Sequence, residues 1–152
     1  NIPIYNKQGN AFLAKDTIHH EKFHYFERGM KKLVIELELE HVNFFLVHLA
    51  LSFKVRQQQI LHLYNMIKQT DRPYIVAGDF NAFTGEDEIQ LLMSASGLQN
   101  ADLKLQPSYP SRHPKRHLDF ILHSPKIKVT EFRMPRVELS DHLPLVLDFE
   151  VL

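Results

Sequence analysis

The stretch Pro73-Tyr74-Ile75-Val76-Ala77-Gly78-Asp79-Phe80-Asn81 constrains this chain more than any other. A short apolar run without polar interruption reads as a strand buried on both faces, so other layers must cover it from either side. Gly78 at its end permits a backbone that residues with a Cβ avoid. Asp79 and Asn81 are two apart, and on an extended chain their side chains leave the same side of the strand end. A carboxylate beside a carboxamide suits a cation or a phosphate at the rim of a sheet; the same residues also make an ordinary turn. The stretch alone leaves both readings open.

Its neighbours supply the layers. Leu33, Ile35, Leu37 and Leu39 alternate with Val34, Glu36, Glu38 and Glu40, which predicts a half-buried strand within Lys32 to Glu40. Asn43 to Leu51 is apolar on both faces and follows a short connection, the pattern of an antiparallel hairpin with its second strand inside. His48 then falls in mid-strand, where it reads either as a core imidazole or as a catalytic one. Ser52 suits the N-cap of a helix running to about Gln69, with Ile60, Leu63, Tyr64 and Ile67 on its buried stripe. A second helix is expected from Thr84 to Gly97, with Ile89, Leu92 and Met93 inward. The acidic run Glu86, Asp87, Glu88 then complements the positive helix end rather than marking a metal site. Further strands are expected at Asn10–Ala14, at Leu118–Leu122, within Ile127–Met134 and at Pro144–Val151. Asp16 to His24 reads as a solvated loop despite His19, His20 and His24.

With 152 residues and 44% hydrophobic content, the expectation is a single domain spanning 1–152 with helices packed outside layered sheets, an α+β fold. Lysine plus arginine (18) balance aspartate plus glutamate (18), so a phosphate-binding surface has to be local. The local candidate is the proline-punctuated stretch Leu105 to Lys115 and its continuation, where Arg112, Lys115 and Arg116 form a basic loop leading into the Leu118 strand. That loop is either solvated or turned toward a phosphate. The absence of cysteine rules out disulfide staples and thiolate metal sites and leaves the compartment open. The sequence contains no signal peptide and no apolar run of membrane-spanning length.

Three stretches place chemistry beside strands: Gly78-Asp79-Phe80-Asn81, Leu118-Asp119-Phe120-Ile121, and Ser140-Asp141-His142-Leu143-Pro144. With His48 they offer carboxylates, an amide and two imidazoles, the set that phosphate-ester hydrolysis asks for: a base for water, donors for the phosphoryl oxygens, and carboxylates for a cation. Taken together and in this order, they resemble the endonuclease/exonuclease/phosphatase superfamily, with Gly9-Asn10-Ala11-Phe12-Leu13 and Gly29-Met30-Lys31-Lys32 similar to its middle region.

The resemblance implies a DNase I-like β-sandwich of two mixed sheets flanked by helices in four layers, and a site at one sheet edge. It implies that His142 is the general base, oriented by Asp119, and that Asp79 orients the nucleophile and touches a metal. Asn81 would hold phosphate or water, His48 would donate to a phosphoryl oxygen or the leaving group, and Asp141 would be a metal ligand. The implied cofactor is Mg²⁺, with Mn²⁺ in its place in some members, and the implied partner is a phosphate ester: nucleic acid, phospholipid headgroup or small phosphate ester. The pattern departs at the front, since the family's asparagine and metal-binding glutamate lie on strands for which only eight residues precede Gly9; Glu21 and Glu27 come too late to match. The expectation is an N-terminally truncated domain. Two functions follow, a metal-dependent phosphoric ester hydrolase or a non-catalytic chain that self-associates through its uncovered sheet or binds a partner or phosphate.

Overall fold

Strand β4 (Tyr74–Asp79) lies in the interior of the sheet, as its unbroken apolar run demands. The computed structural model describes residues 10–27, 33–83 and 85–152. Around β4 the chain order is β1 (His20–Tyr25), β2 (Leu33–Glu38), β3 (Asn43–His48), α1 (Phe53–Ile67), then after β4 α2 (Asp87–Ser96), β5 (Gln99–Asn100), β6 (Asp119–His123), β7 (Ile127–Arg133) and β8 (Val146–Val151). Six strands form one mixed sheet in the order β1-β2-β3-β4-β6-β5, and β7 pairs with β8 in a second, antiparallel sheet. The hairpin of β2 and β3 is antiparallel as expected. The pairing of β3 with β4 is parallel, which requires a crossover, and α1 provides it.

Alternation along the strands divides the core in two. Val34, Phe45, Val47, Val76, Phe120 and Leu122 face the helices and pack with Ile60, Leu63, Ile67, Ile89 and Leu92. Phe44, Ile75, Ala77 and Ile121 point to the opposite face, where Ile127, Leu147 and Phe149 of the β7–β8 hairpin meet them. Among the described residues the layers are therefore helices, large sheet, small sheet. No described helix is long and apolar enough to cross a membrane.

Several expectations about elements need correction. Asn10–Ala14 is irregular chain with Leu13 fully exposed, and the histidine-rich segment read as a loop instead holds β1, paired antiparallel along its whole length with β2. An edge strand needs backbone partners more than an apolar face, and β1 is exposed at all positions but His24, whose Nε2 meets Glu36 Oε2 at 2.6 Å. Strand β3 ends at His48 rather than Leu51. Helix α2 starts at Asp87, with Glu86 at the N-cap position making no side-chain cap bond; the expected cap Thr84 lies outside the described residues, as do Gly9 and Gly29 to Lys32. Its C-terminus is as expected: Gly97 takes φ 73° and donates its N–H to Met93 O at 2.8 Å.

Candidate active site at the sheet rim

Strand register alone sets a row of three site residues. His48 is opposite Asp79 in the parallel β3–β4 ladder, and Asp79 is opposite Asp119 in the antiparallel β4–β6 ladder. The close approach behind this row depends on Gly78, whose φ is 144° and where an added Cβ would stand 1.9 Å from the carbonyl oxygen of Val47. Only glycine fits there.

Asp79 is held at both carboxylate oxygens. Its Oδ1 accepts the backbone N–H of Asn81 at 2.8 Å, and its Oδ2 lies 3.2 Å from His48 Nε2. Burial pushes its carboxyl up, but the hydrogen bonds from His48 and Asn81 and the positive charge of His48 and His142 outweigh burial and hold it below the usual carboxylate value.

Asn81 departs from the extended geometry expected of it. The chain turns after Phe80, Asn81 takes φ 52°, and its side chain is buried with Nδ2 donating to Leu49 O at 2.8 Å. Its side chain therefore does not run parallel to that of Asp79; it ties the end of β4 to the chain leaving β3. His48 is not a core residue in mid-strand, since its side chain is 36% exposed at the last position of β3.

The second pair comes from distant segments. His142 Nδ1 meets Asp119 Oδ2 at 2.7 Å. A carboxylate at Nδ1 keeps the proton there and leaves Nε2 as the basic nitrogen. The loop carrying His142 is fastened to the loop before β6: Ser111 N donates to Asp141 O at 2.8 Å, Ser111 Oγ to Ser140 O at 2.7 Å, and Leu143 N to Ser108 O at 2.9 Å. Tyr109 lies against the imidazole with ring centroids 4.8 Å apart.

Ser108 is the site residue that the sequence does not announce. It is fully buried, and its Oγ donates to Asp119 Oδ2 at 2.5 Å, so one carboxylate oxygen holds both a hydroxyl and an imidazole. A serine between prolines reads as loop; the nearest signal is its place eleven residues before Asp119 in the basic loop.

That basic loop folds back on itself. Tyr109 and Arg116 exchange backbone hydrogen bonds of 2.9 and 3.1 Å, and Arg116 Nη1 donates to Phe83 O at 3.4 Å. Arg112 is exposed and its Nε donates to Glu138 Oε2 at 3.1 Å, so its charge is directed at a carboxylate; Lys115 is exposed. Of the acidic run, Glu86 Oε1 meets His117 Nδ1 at 2.8 Å, and Glu88 is buried against Arg56.

The residues fit a divalent cation only in part. Carboxylate oxygens are the right donors. Asp141 is exposed, its Oδ1 accepting Ser140 Oγ at 3.1 Å, and both oxygens of Asp79 already have partners. Among the described residues no three His, Asp or Glu side chains converge as a ligand set.

A groove of about 920 Å³ lies elsewhere, between α1 and α2, lined by Phe53, Ile60, Leu61, Tyr64, Leu91 and Leu92 among others. Apolar concavity usually nominates a site. It contains none of the rim residues, where the titratable groups converge.

A family model described as the Endonuclease/Exonuclease/phosphatase family matches residues 2–142. A UPF0294 protein of Yersinia pseudotuberculosis is 30% identical over 111 residues, 72% of this chain and 42% of that protein, so the chain spans less than half the length of this relative. Among solved structures, D. rerio TDP2 complexed with a single-strand DNA product superposes with a TM-score of 0.71 at 16% identity, covering 88% of this chain and 68% of that one. A mannosyl-6-phosphatase of Bacteroides thetaiotaomicron superposes with a TM-score of 0.71 at 15% identity, covering 88% and 67%. At these identities the likeness is one of fold.

Proposed function

Because the chain belongs to the endonuclease/exonuclease/phosphatase family, we propose that its rim site serves the hydrolysis of a phosphate ester by attack of water on phosphorus. The observation that carries this reading is the Asp119–His142 contact of 2.7 Å, one strand away from the Asp79–His48 pair. His142 Nε2 takes a proton from water as its oxygen bonds to phosphorus, and the bond to the ester oxygen breaks, that oxygen leaving with the electron pair and taking a proton from solvent. Asp119 orients the imidazole and stabilises its charge after the transfer, with Ser108 holding the carboxylate in place. His48 donates to a phosphoryl oxygen from the edge it shares with Asp79, and the ionised Asp79 keeps that imidazole positioned. Asn81 fixes the turn between them.

Mg²⁺, or Mn²⁺, is the cofactor the family reading calls for, and when bound it would polarise the phosphoryl group. Asp79 and Asp141 are the carboxylates proposed for it; the described residues fall short of a full ligand set, and no step here is routed through the ion. For substrate the reading extends to a phosphate ester of a nucleic acid, a phospholipid headgroup or a small phosphate ester. Arg116 and Lys115 on the loop beside the site are the cations proposed to meet it, with Arg112 available when it leaves Glu138.

The test is turnover of bis-p-nitrophenyl phosphate and p-nitrophenyl phosphate with Mg²⁺ or Mn²⁺, followed by a panel of a DNA end, a sugar phosphate and a phospholipid. Hydrolysis that falls about 10²–10⁴-fold in His142→Ala supports the reading. A folded chain that turns over no member of the panel with either metal overturns it for this chain.

One observation favours a second reading, a non-catalytic chain that associates through its sheet. Among the described residues β1 pairs on one side only, and its Phe23 and Tyr25 are 46% and 70% exposed. Sedimentation of wild type beside Phe23→Lys would show a dimer that the charge disperses; a monomer at all concentrations removes this reading.

A further inference from the structure

Behind His48 lies a set of buried polar side chains that the proposed chemistry does not use. The chain leaves β3 at His48 and enters α1 at Phe53, and its backbone polar groups are taken up by side chains of α1 and of the chain after β4. Leu49 O accepts Asn81 Nδ2 at 2.8 Å; Ala50 N donates to Gln59 Oε1 at 2.8 Å; Ala50 O and Leu51 O accept Arg56 Nη1 at 3.1 and 2.8 Å. Arg56 is completely buried, Gln59 nearly so, and the Nε of Arg56 donates to Glu88 in the first turn of α2. Leu49 N closes the figure by donating to Asp79 O at 2.9 Å.

A charge sealed from water at the foot of a helix is costly unless its geometry is fully satisfied. Plain cohesion of α1 on the sheet would be served as well by an apolar residue at this position, one turn before Ile60 on the buried stripe. What Arg56 does that an apolar side chain cannot is bind two successive carbonyls through Nη1 while Nε, on the other edge of the same rigid plane, faces a carboxylate in the first turn of α2. The turn that follows His48 is so joined to α2, and Asn81 ties it to the chain that follows Asp79.

We propose that Arg56 and Gln59, with Glu88 behind them, are positioning residues for His48: they fix the turn at Leu49–Leu51 and thereby the stance of the imidazole against Asp79. The kinetic part of this inference rests on the hydrolase reading; the structural part does not. Neither residue touches substrate, so neither is a catalytic residue.

The test compares Gln59→Leu, which removes one neutral acceptor, and Arg56→Lys, which keeps the charge and loses the fork, with Leu92→Ala, a core truncation on α2 that removes no hydrogen-bonding group. Two readouts are taken: the ring ¹⁵N signals of His48 and His142, and kcat and KM on the best substrate. Both variants are expected to move the His48 signals and leave those of His142 in place, and to lower kcat by about 10–100-fold with KM little changed, as a misplacement of a reacting group does. Leu92→Ala should lower Tm and leave both histidines as they are. Folded variants with wild-type His48 signals overturn the proposal, as does an equal displacement of those signals in Leu92→Ala. Should Arg56→Lys fail to fold, Gln59→Leu decides alone. If wild type shows no turnover, displaced His48 signals still uphold the positioning role, and only the hydrolase reading falls.

Discussion

The two imidazole–carboxylate pairs at the rim are built in opposite ways. In the His48–Asp79 pair both residues end neighbouring strands, the contact is 3.2 Å, and a backbone N–H helps hold the carboxylate. In the His142–Asp119 pair one member sits on a strand and the other on a loop, the contact is 2.7 Å, and the carboxylate is held by a serine hydroxyl. A carboxylate wired to the backbone belongs to the architecture and answers to strand geometry. A carboxylate held by side chains can be altered one group at a time, and its imidazole can exchange a proton without disturbing a ladder. On the proposed reading, the pair drawn from the loop does the acid–base work and the pair in the sheet serves as a fixed donor.

This contrast can be broken most forcefully at the loop. His142→Ala should lower kcat/KM by about 10²–10⁴-fold, with a smaller fall in Tm because Asp119 loses the imidazole. Asp119→Asn, which reverses the tautomer preference while keeping shape, should cost on the order of 10²–10³-fold, measured on the same phosphodiester. In the sheet the order of effects inverts. Gly78→Ala should destabilise by roughly 1–3 kcal/mol from backbone strain, with a further cost from the contact with Val47, read as a shifted urea midpoint. Activity would fall in proportion to the folded fraction and to any separation of β3 from β4.

Two smaller effects sharpen the comparison. Ser108→Ala leaves the half-buried Asp119 with one partner fewer and should cost about 1–3 kcal/mol, with a modest fall in kcat. For Asp79 the sign follows from its lowered pKa. The contribution it makes to stability is complete above the ordinary value of 3.8 and is lost as the pH falls through the lower value it has in the fold. Urea midpoints of wild type and Asp79→Asn should therefore differ near neutrality and converge in strong acid. A difference that persists unchanged to the lowest pH would mean that the ionised carboxylate is not what stabilises the turn.

What the sequence discloses of this molecule is what depends on local period and on residue type. The alternation in β2, the doubly apolar β3 and β4, the stripe of α1 and the stop at Gly97 are legible because burial writes a period into the chain. The two-residue strand β5 and the edge strand β1 are not, because their pairing is carried by backbone groups common to every residue. Asp119 and His142 are visible as residue types beside strands, whereas Ser108 is not, since its role arises only when two loops close. Arg56 stands between these cases: it lies four residues before Ile60 and seven before Leu63, on the buried stripe, yet its charge marks it for solvent until Glu88 is seen beside it.

The row His48, Asp79, Asp119 follows from pairing register, and register changes only in whole residues. A slip of one position would set Val47 or Leu49 across from Asp79 and erase the row outright, so this part of the site has no intermediate settings. Gradual adjustment of its reactivity is left to the loops and to the groups behind them, and the strands act as a ratchet that is either in the right tooth or not.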